Sequence, residues 1–503
     1  MSIADLVLDA ILFVEHSWPS LLGIGAAFAL RRRIPPLRLP RLRDWQACAL
    51  VAALSLASSI AAAALHGVPL PSWHDDYAYL LTADTFAHGR LATPAHPLSD
   101  FFETMHVLQR PTYAGKYPPG QGAVLALGML LGQPLLGVWL TCAAACAAIW
   151  WALRQWLAPE WALLGALFAA IHPTMLMWAE SYHGGALAAL AGALLLGAAG
   201  KERVPLIAAG IGIALMAYSR PYEGLVFAMA MFVVRPALLK AVPIAIVGLI
   251  PLAMYNRAVT GSAFVLPYVI YERQYDATPN FLWESPRRVA PQPNAEMDTV
   301  YRVYFGLWRR AHEPGGMVDQ LHKKIDVIAG TLLGPPRLIL LVPLVALPRV
   351  LRERRGRRLA LVLLLFAFVP FSIIWLMQAH YLAPAAAAAA ALMMLLVAEL
   401  PPSFAAAVLI AFVLNAGADW IAFARKSEAV PETQRREIAA SIDGVVIVAP
   451  NVFDFVYNGA DIDRQRVIWA RDLGPARNAA LRAYYRGRKF WYLPQPGRPR
   501  PLP

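Results

Sequence analysis

Residues 47–65 read ACALVAALSLASSIAAAAL, nineteen positions without a charge. At 1.5 Å rise per residue a run of about 20 apolar residues matches the hydrocarbon core of a bilayer. Comparable runs recur at 359–377 and, with Asp419 as its one charge, at 404–424. The whole chain has 58% apolar and only 15% charged residues, with mean hydropathy +0.49, against roughly 25% charge in soluble proteins. The composition therefore predicts an all-α polytopic membrane bundle rather than a string of soluble domains.

The formal charge of +13 raises nucleic acid as a partner, and its placement argues against it. The densest basic clusters, at 31–43 and 349–358, flank apolar spans, which is the pattern that keeps Lys- and Arg-rich loops in the cytoplasm. Cys48, Cys142 and Cys146 all lie inside apolar runs, so neither a disulfide framework nor a zinc site is indicated. The first apolar segment ends in Arg31-Arg32-Arg33 without a basic leader or processing site, so no cleavable signal peptide is expected.

The charges also set a topology. With 31–43 inside, the 45–65 helix runs outward and delivers loop 66–117 to the outside. With 349–358 inside, a 327–347 helix runs inward from a second outside loop, 256–326. Further spans are expected near 134–156, 160–179, 183–199, 204–219, 222–235, 238–255, 359–377, 382–398 and 403–424. The 119–132 piece is short and reads as a half-membrane or strongly tilted helix. An N-terminal segment interrupted by Asp5, Asp9, Glu15 and His16 brings the count to about 11–12. The membrane domain thus covers 1–425, and 426–494 reads as a small extracytoplasmic α/β domain. Its expected strands are 445–448, 467–470 and 489–493, with a helix over 476–485. Asp461, Asp463 and Asp472 read as turn and cap residues, and the Pro/Arg-rich tail 495–503 as disordered.

The first outside loop carries the densest chemistry. It opens with Trp73-His74-Asp75-Asp76-Tyr77-Ala78-Tyr79 and closes with Gly115-Lys116-Tyr117-Pro118-Pro119. A carboxylate pair at the end of a span is costly, and a low-dielectric wall there can tune one of them into a base. The pair also has a purely structural account, as caps for the helix that follows. Other polar groups share its depth: Glu180-Ser181-Tyr182-His183, Arg220-Pro221-Tyr222-Glu223 and His380-Tyr381. Each alone suits the membrane interface. Together they supply the base and cations that group transfer from a lipid phosphate requires. The competing expectation, a lipid-linked sugar flippase, would as a transporter place its charges near the midplane on broken helices, so this depth favours an interfacial enzyme.

His74-Asp75-Asp76-x-x-Tyr79, the Ala-rich helix ending His88-Gly89, and Lys116-Tyr117-Pro118-Pro119 resemble the first-loop signature of C-type (GT-C) integral membrane glycosyltransferases. The similarity is greatest to the family 39 branch, with the protein O-mannosyltransferases and lipid A aminoarabinose transferases, and covers about residues 70–135. The pair here is Asp-Asp where Asp-Glu is commoner. The resemblance implies an inverting transfer of a sugar from a polyprenyl-phosphate donor to an extracytoplasmic glycan, lipid or protein acceptor, in a bacterial cytoplasmic (inner) membrane. Asp75 or Asp76 would be the general base. Lys116, Arg220, His380 and Tyr381 would bind the donor phosphate. His74, Tyr79, Glu180, His183, Tyr222 and Glu223 are further candidates. No cofactor or metal is expected from the branch, although a divalent cation serves other members of the superfamily. Membrane lipids are expected partners and nucleic acid is not.

Overall fold

The computed structural model describes residues 20–35, 42–333, 338–373, 378–423, 430–450, 455–494 and 497–502. The region before Ser20, and with it most of the expected N-terminal segment, lies outside them. Among the described residues four helices are long and apolar enough to cross a bilayer: Asp44–His66, Pro134–Leu153, Pro236–Thr260 and Ala379–Ala398. A bent pair, Pro159–Ile171 and Pro173–Ala179, makes a fifth candidate. Shorter apolar helices include Ser20–Ala29, Pro119–Leu130, Ala186–Gly200, Leu206–Ser219, Pro221–Val234, Ile339–Val350 and Pro402–Ala418. The chain is a multi-pass membrane bundle with a small C-terminal sheet.

Proline punctuates these helices. Pro119, Pro134, Pro159, Pro173 and Pro221 each open one, where a missing N–H costs nothing and φ is already helical. Pro119–Leu130 has 12 residues, about 18 Å at 1.5 Å each, which is short of a full crossing as its sequence suggests. It packs against Pro134–Leu153 closely enough that a Cβ on Gly137 would stand 1.9 Å from the Val124 carbonyl oxygen, and one on Gly128 2.1 Å from that of Pro134. Small residues are what let apolar helices approach without a hydrophobic drive between them.

Three expected spans are corrected. The 160–179 span bends by 49° at its break, because Pro173 cannot donate into the preceding turn. The inward helix at 327–347 is not α-helical throughout: Pro314–Leu333 is amphipathic, with exposed Met317, Leu321 and Ile325 on one face, and Leu338–Ala346, which contains Pro343, is a 3-10 segment, with 334–337 outside the described residues. The 359–377 span starts inside its basic cluster as Arg354–Phe366 and gives way to Phe368–Ser372, with 374–377 outside the described residues.

The loop at 66–117 holds the helix His74–Ala87 and a three-stranded antiparallel sheet, Thr93–Pro94, Thr112–Gly115 and Val107–Leu108 in spatial order. The loop at 256–326 is helical, with Pro267–Tyr275 and Ala295–Ala311. The C-terminal unit has strands Gly444–Val448, Val467–Arg471 and Phe490–Leu493 and a helix Pro475–Tyr484, near their expected places. Its Gly444–Val448 strand runs parallel to both neighbours. The tail expected to be disordered instead adds an edge strand, Arg500–Leu502, antiparallel to Phe490–Leu493. Pro501 faces no cost there, since an edge strand leaves one side of its backbone unpaired.

Candidate active site

The helix His74–Ala87 starts two residues earlier than a cap at Asp75 requires and three earlier than one at Asp76. Asp76 is its third residue, and its Oδ2 accepts from the backbone N–H of Ser72 (2.9 Å) and Trp73 (3.1 Å). That is half of a capping box. Its Oδ1 meets His183 Nδ1 at 2.7 Å, and the side chain is buried. Asp75 caps nothing. It accepts from the Tyr117 hydroxyl, has His106 Nε2 at 3.8 Å, and lines a cavity of about 660 Å³.

The same cavity is lined by Tyr79, Lys116, His183, Arg220, Tyr222, Glu223, His380 and Tyr381, so most of the sequence candidates converge. Lys116 is 5% exposed. Its ammonium stands 4.9 Å from the ring centres of both Tyr268 and Tyr271 and 5.2 Å from that of Tyr117, an aromatic cage for a cation. The Arg220 guanidinium lies 5.0 Å over the Tyr381 ring. His380 meets His183 edge to face at 5.8 Å. Tyr222 bonds Ser372 at 2.6 Å. Glu180 ends the Pro173–Ala179 helix and does not line the cavity. His74 also points elsewhere, its Nδ1 2.6 Å from the Tyr457 hydroxyl of the C-terminal unit.

Opposing forces set the charges. Burial alone would raise the Asp75 carboxyl, but His106, His183, the Tyr117 hydroxyl and Lys116 outweigh it and hold it well below the usual carboxylate range. Burial, with Lys116 close by, pushes the His106 imidazole well below its ordinary value despite Asp75. His183 goes the other way: burial opposes its charge, and the Asp76 carboxylate more than compensates. Lys116 is lowered by burial against the pull of Glu272, Asp276 and Asp75. At neutral pH the cavity thus presents an ionised Asp75.

The far wall comes from the second loop. Tyr268, Tyr271, Glu272 and Asp276 follow i, i+3, i+4, i+8 spacing, so one face of Pro267–Tyr275 and the residue after it turn toward Lys116 and His106. Sequence reading gave that loop no site residue, although this periodicity was available. His106 had no such signal. It is a lone loop histidine with φ +63°, a conformation uncommon outside glycine, held by its N–H donating to Tyr271 Oη at 2.7 Å.

Among the described residues no three His, Cys, Asp or Glu side chains gather to hold a metal ion. Asp76 is already engaged by two backbone donors and His183. No step below runs through a metal cation.

The C-terminal unit closes over the first loop. Tyr77 stacks on Tyr457 at 4.0 Å and 10°, and donates to Glu432 at 2.9 Å. Two of the three aspartates expected in turns make docking contacts: Arg90 pairs with Asp461 at 2.7 Å, and His96 with Asp463 at 3.0 Å. Asp472 is a local cap, accepting from the Gly474 N–H at 2.9 Å.

No protein-family profile matches the chain, and no curated protein does. Solved structures similar to it include the apo oligosaccharyltransferase of Archaeoglobus fulgidus, with 12% identity, TM-score 0.49, and 79% of this chain and 57% of that one covered. The archaeal oligosaccharyltransferase AglB from the same organism, in complex with an inhibitory peptide and a dolichol-phosphate, gives 13% identity, TM-score 0.46, and 79% and 57% coverage. ArnT from Cupriavidus metallidurans bound to undecaprenyl phosphate gives 12% identity, TM-score 0.48, and 88% and 92% coverage. The chain spans little more than half the length of the archaeal enzyme it is similar to.

Proposed function

We propose that the protein is an inverting membrane glycosyltransferase that moves a sugar from a polyprenyl-phosphate donor to a hydroxyl or amine acceptor. We place this reaction at the extracytoplasmic face of a bacterial inner membrane. The observation that carries the reading is that Asp75, Lys116 and Arg220 line one cavity of about 660 Å³, with room for a sugar phosphate and part of an acceptor. The acceptor oxygen or nitrogen attacks the anomeric carbon as the bond from that carbon to the phosphate oxygen breaks. The acceptor proton passes to Asp75, and polyprenyl phosphate leaves with the bond electrons.

Lys116 and Arg220 hold the phosphate and stabilise its charge as it departs, an effect that a preorganised, water-poor site strengthens. Asp75 is a weak base while its neighbours hold its pKa down. Donor phosphate offsets the Lys116 charge, which raises the Asp75 carboxyl toward a better base when the donor binds, and the acceptor hydroxyl takes over the hydrogen bond from Tyr117. A general base of this kind contributes about 10²–10⁴-fold. The flippase alternative predicts movement of the lipid-linked sugar without bond cleavage.

Purified protein incubated with polyprenyl-phosphate sugars should release polyprenyl phosphate in step with glycosylated acceptor. Lipid translocation without any release would overturn the enzyme reading. Lys116→Ala and Arg220→Ala should each weaken donor binding by about 1.5–3 kcal/mol, the range for hydrogen bonds to charged groups.

A further inference from the structure

The helix His74–Ala87 works on two faces. Asp75 and Tyr79, four residues apart, line the cavity. His74, Tyr77, Leu81 and Asp84 fall along another face and are all engaged by the C-terminal unit. Tyr457 lies flat on Tyr77 and bonds His74, the residue next to Asp75. Arg471, 5% exposed, pairs at 2.7 Å with Glu296, 1% exposed. The other Glu296 oxygen is 3.9 Å from the same His74 nitrogen. Arg471 also donates to the Glu103 carbonyl of the first loop. Glu296 opens the helix Ala295–Ala311, whose Tyr304 lines the cavity. The C-terminal unit, the first loop and the second loop therefore meet at His74, one peptide away from Asp75.

We propose that Tyr457 and Arg471 are positioning residues that fix where the Asp75 carboxylate stands. The inference rests on the glycosyltransferase reading. A buried ion pair such as Arg471–Glu296 is weak evidence for stability, because desolvation consumes most of its Coulomb gain, and setting register is a better attested use. Register matters at Asp75, since its proton transfer needs hydrogen-bond reach to the acceptor, and a 1 Å misplacement costs about 10²-fold. Neither Tyr457 nor Arg471 lines the cavity, so each acts through the helix and not on substrate.

The test uses full-length protein and four variants: Tyr457→Phe, which keeps the stacking and loses the bond to His74, Tyr457→Ala, Arg471→Gln and Arg471→Lys. Turnover, donor affinity and melting temperature are measured for each. Tyr457→Phe should lower kcat by about 10–100-fold, up to the cost of a 1 Å error, with donor affinity and melting temperature unchanged. Arg471→Gln should lower kcat as far with donor affinity unchanged, while its melting temperature falls because Glu296 is left buried without its partner. Arg471→Lys should recover part of the loss, and Tyr457→Ala should fall below Tyr457→Phe. Normal kcat in Tyr457→Phe and Arg471→Gln, or a loss that only tracks melting temperature, would overturn the positioning role. A wild type that releases no polyprenyl phosphate would instead overturn the glycosyltransferase reading beneath it.

Discussion

Asp75 and Asp76 are chain neighbours with different surroundings. Asp76 spends one oxygen on two backbone donors and the other on His183, whereas Asp75 lines the cavity against Tyr117 and His106. Asp75→Asn should therefore cut transfer by about 10²–10⁴-fold, the worth of a general base, while donor binding stays near wild type. Asp76→Asn should be milder, because an amide oxygen still accepts from the backbone and only the charge holding His183 is lost. Single-turnover assays beside donor titrations separate the two, and near-normal transfer by Asp75→Asn would return that carboxylate to a structural role. Much of the site was legible at this scale. Charged residues at the ends of apolar runs, such as Arg220 and His380, stand out because a bilayer makes them expensive. Which aspartate caps was not legible, since it depends on where the helix begins. His106 was invisible, because its place comes from a backbone turn and a tyrosine 165 residues away.

At the scale of elements, the helix starts at Pro119, Pro134, Pro159 and Pro221 were readable to within a residue, and the 160–179 span was over-read because Pro173 opens a second helix inside it. Averaged hydropathy scores 327–347 as one crossing, since the apolar residues around Pro343 outweigh it in the mean, yet Pro343 removes a donor from the ladder. The same averaging hides contact distance. The hairpin of Pro119–Leu130 and Pro134–Leu153 depends on Gly128 and Gly137, where a Cβ would collide with backbone oxygens. Gly137→Ala must push the helices apart and should destabilise by about 1–3 kcal/mol, typical for overpacking. Thermal unfolding in detergent should show this, while Gly417→Ala, with open space around its Cβ position, should melt as wild type. Equal melting of the two would mean that the hairpin tolerates separation.

At the scale of the molecule, charge placement supplies the orientation. Residues 66–117, 256–326 and 425–503 are expected on the extracytoplasmic side. Single cysteines in each should react with a membrane-impermeant maleimide in intact cells. C-terminal labelling only after permeabilisation would defeat both the map and the reaction site. The C-terminal α/β unit was foreseeable from its short apolar strands. Its docking on the first loop was not, because ion pairs such as Arg90–Asp461 join residues 371 apart and leave no local pattern. That docking also bears on biosynthesis. His74 and Tyr457 are 383 residues apart, which at about 5–20 residues per second is roughly 20–80 s of translation. Asp75 therefore leaves the ribosome long before the side chains that brace it. A ribosome-stalled chain ending before Tyr457 would carry the cavity's cations and carboxylate without that brace, so donor capture would precede turnover competence during synthesis.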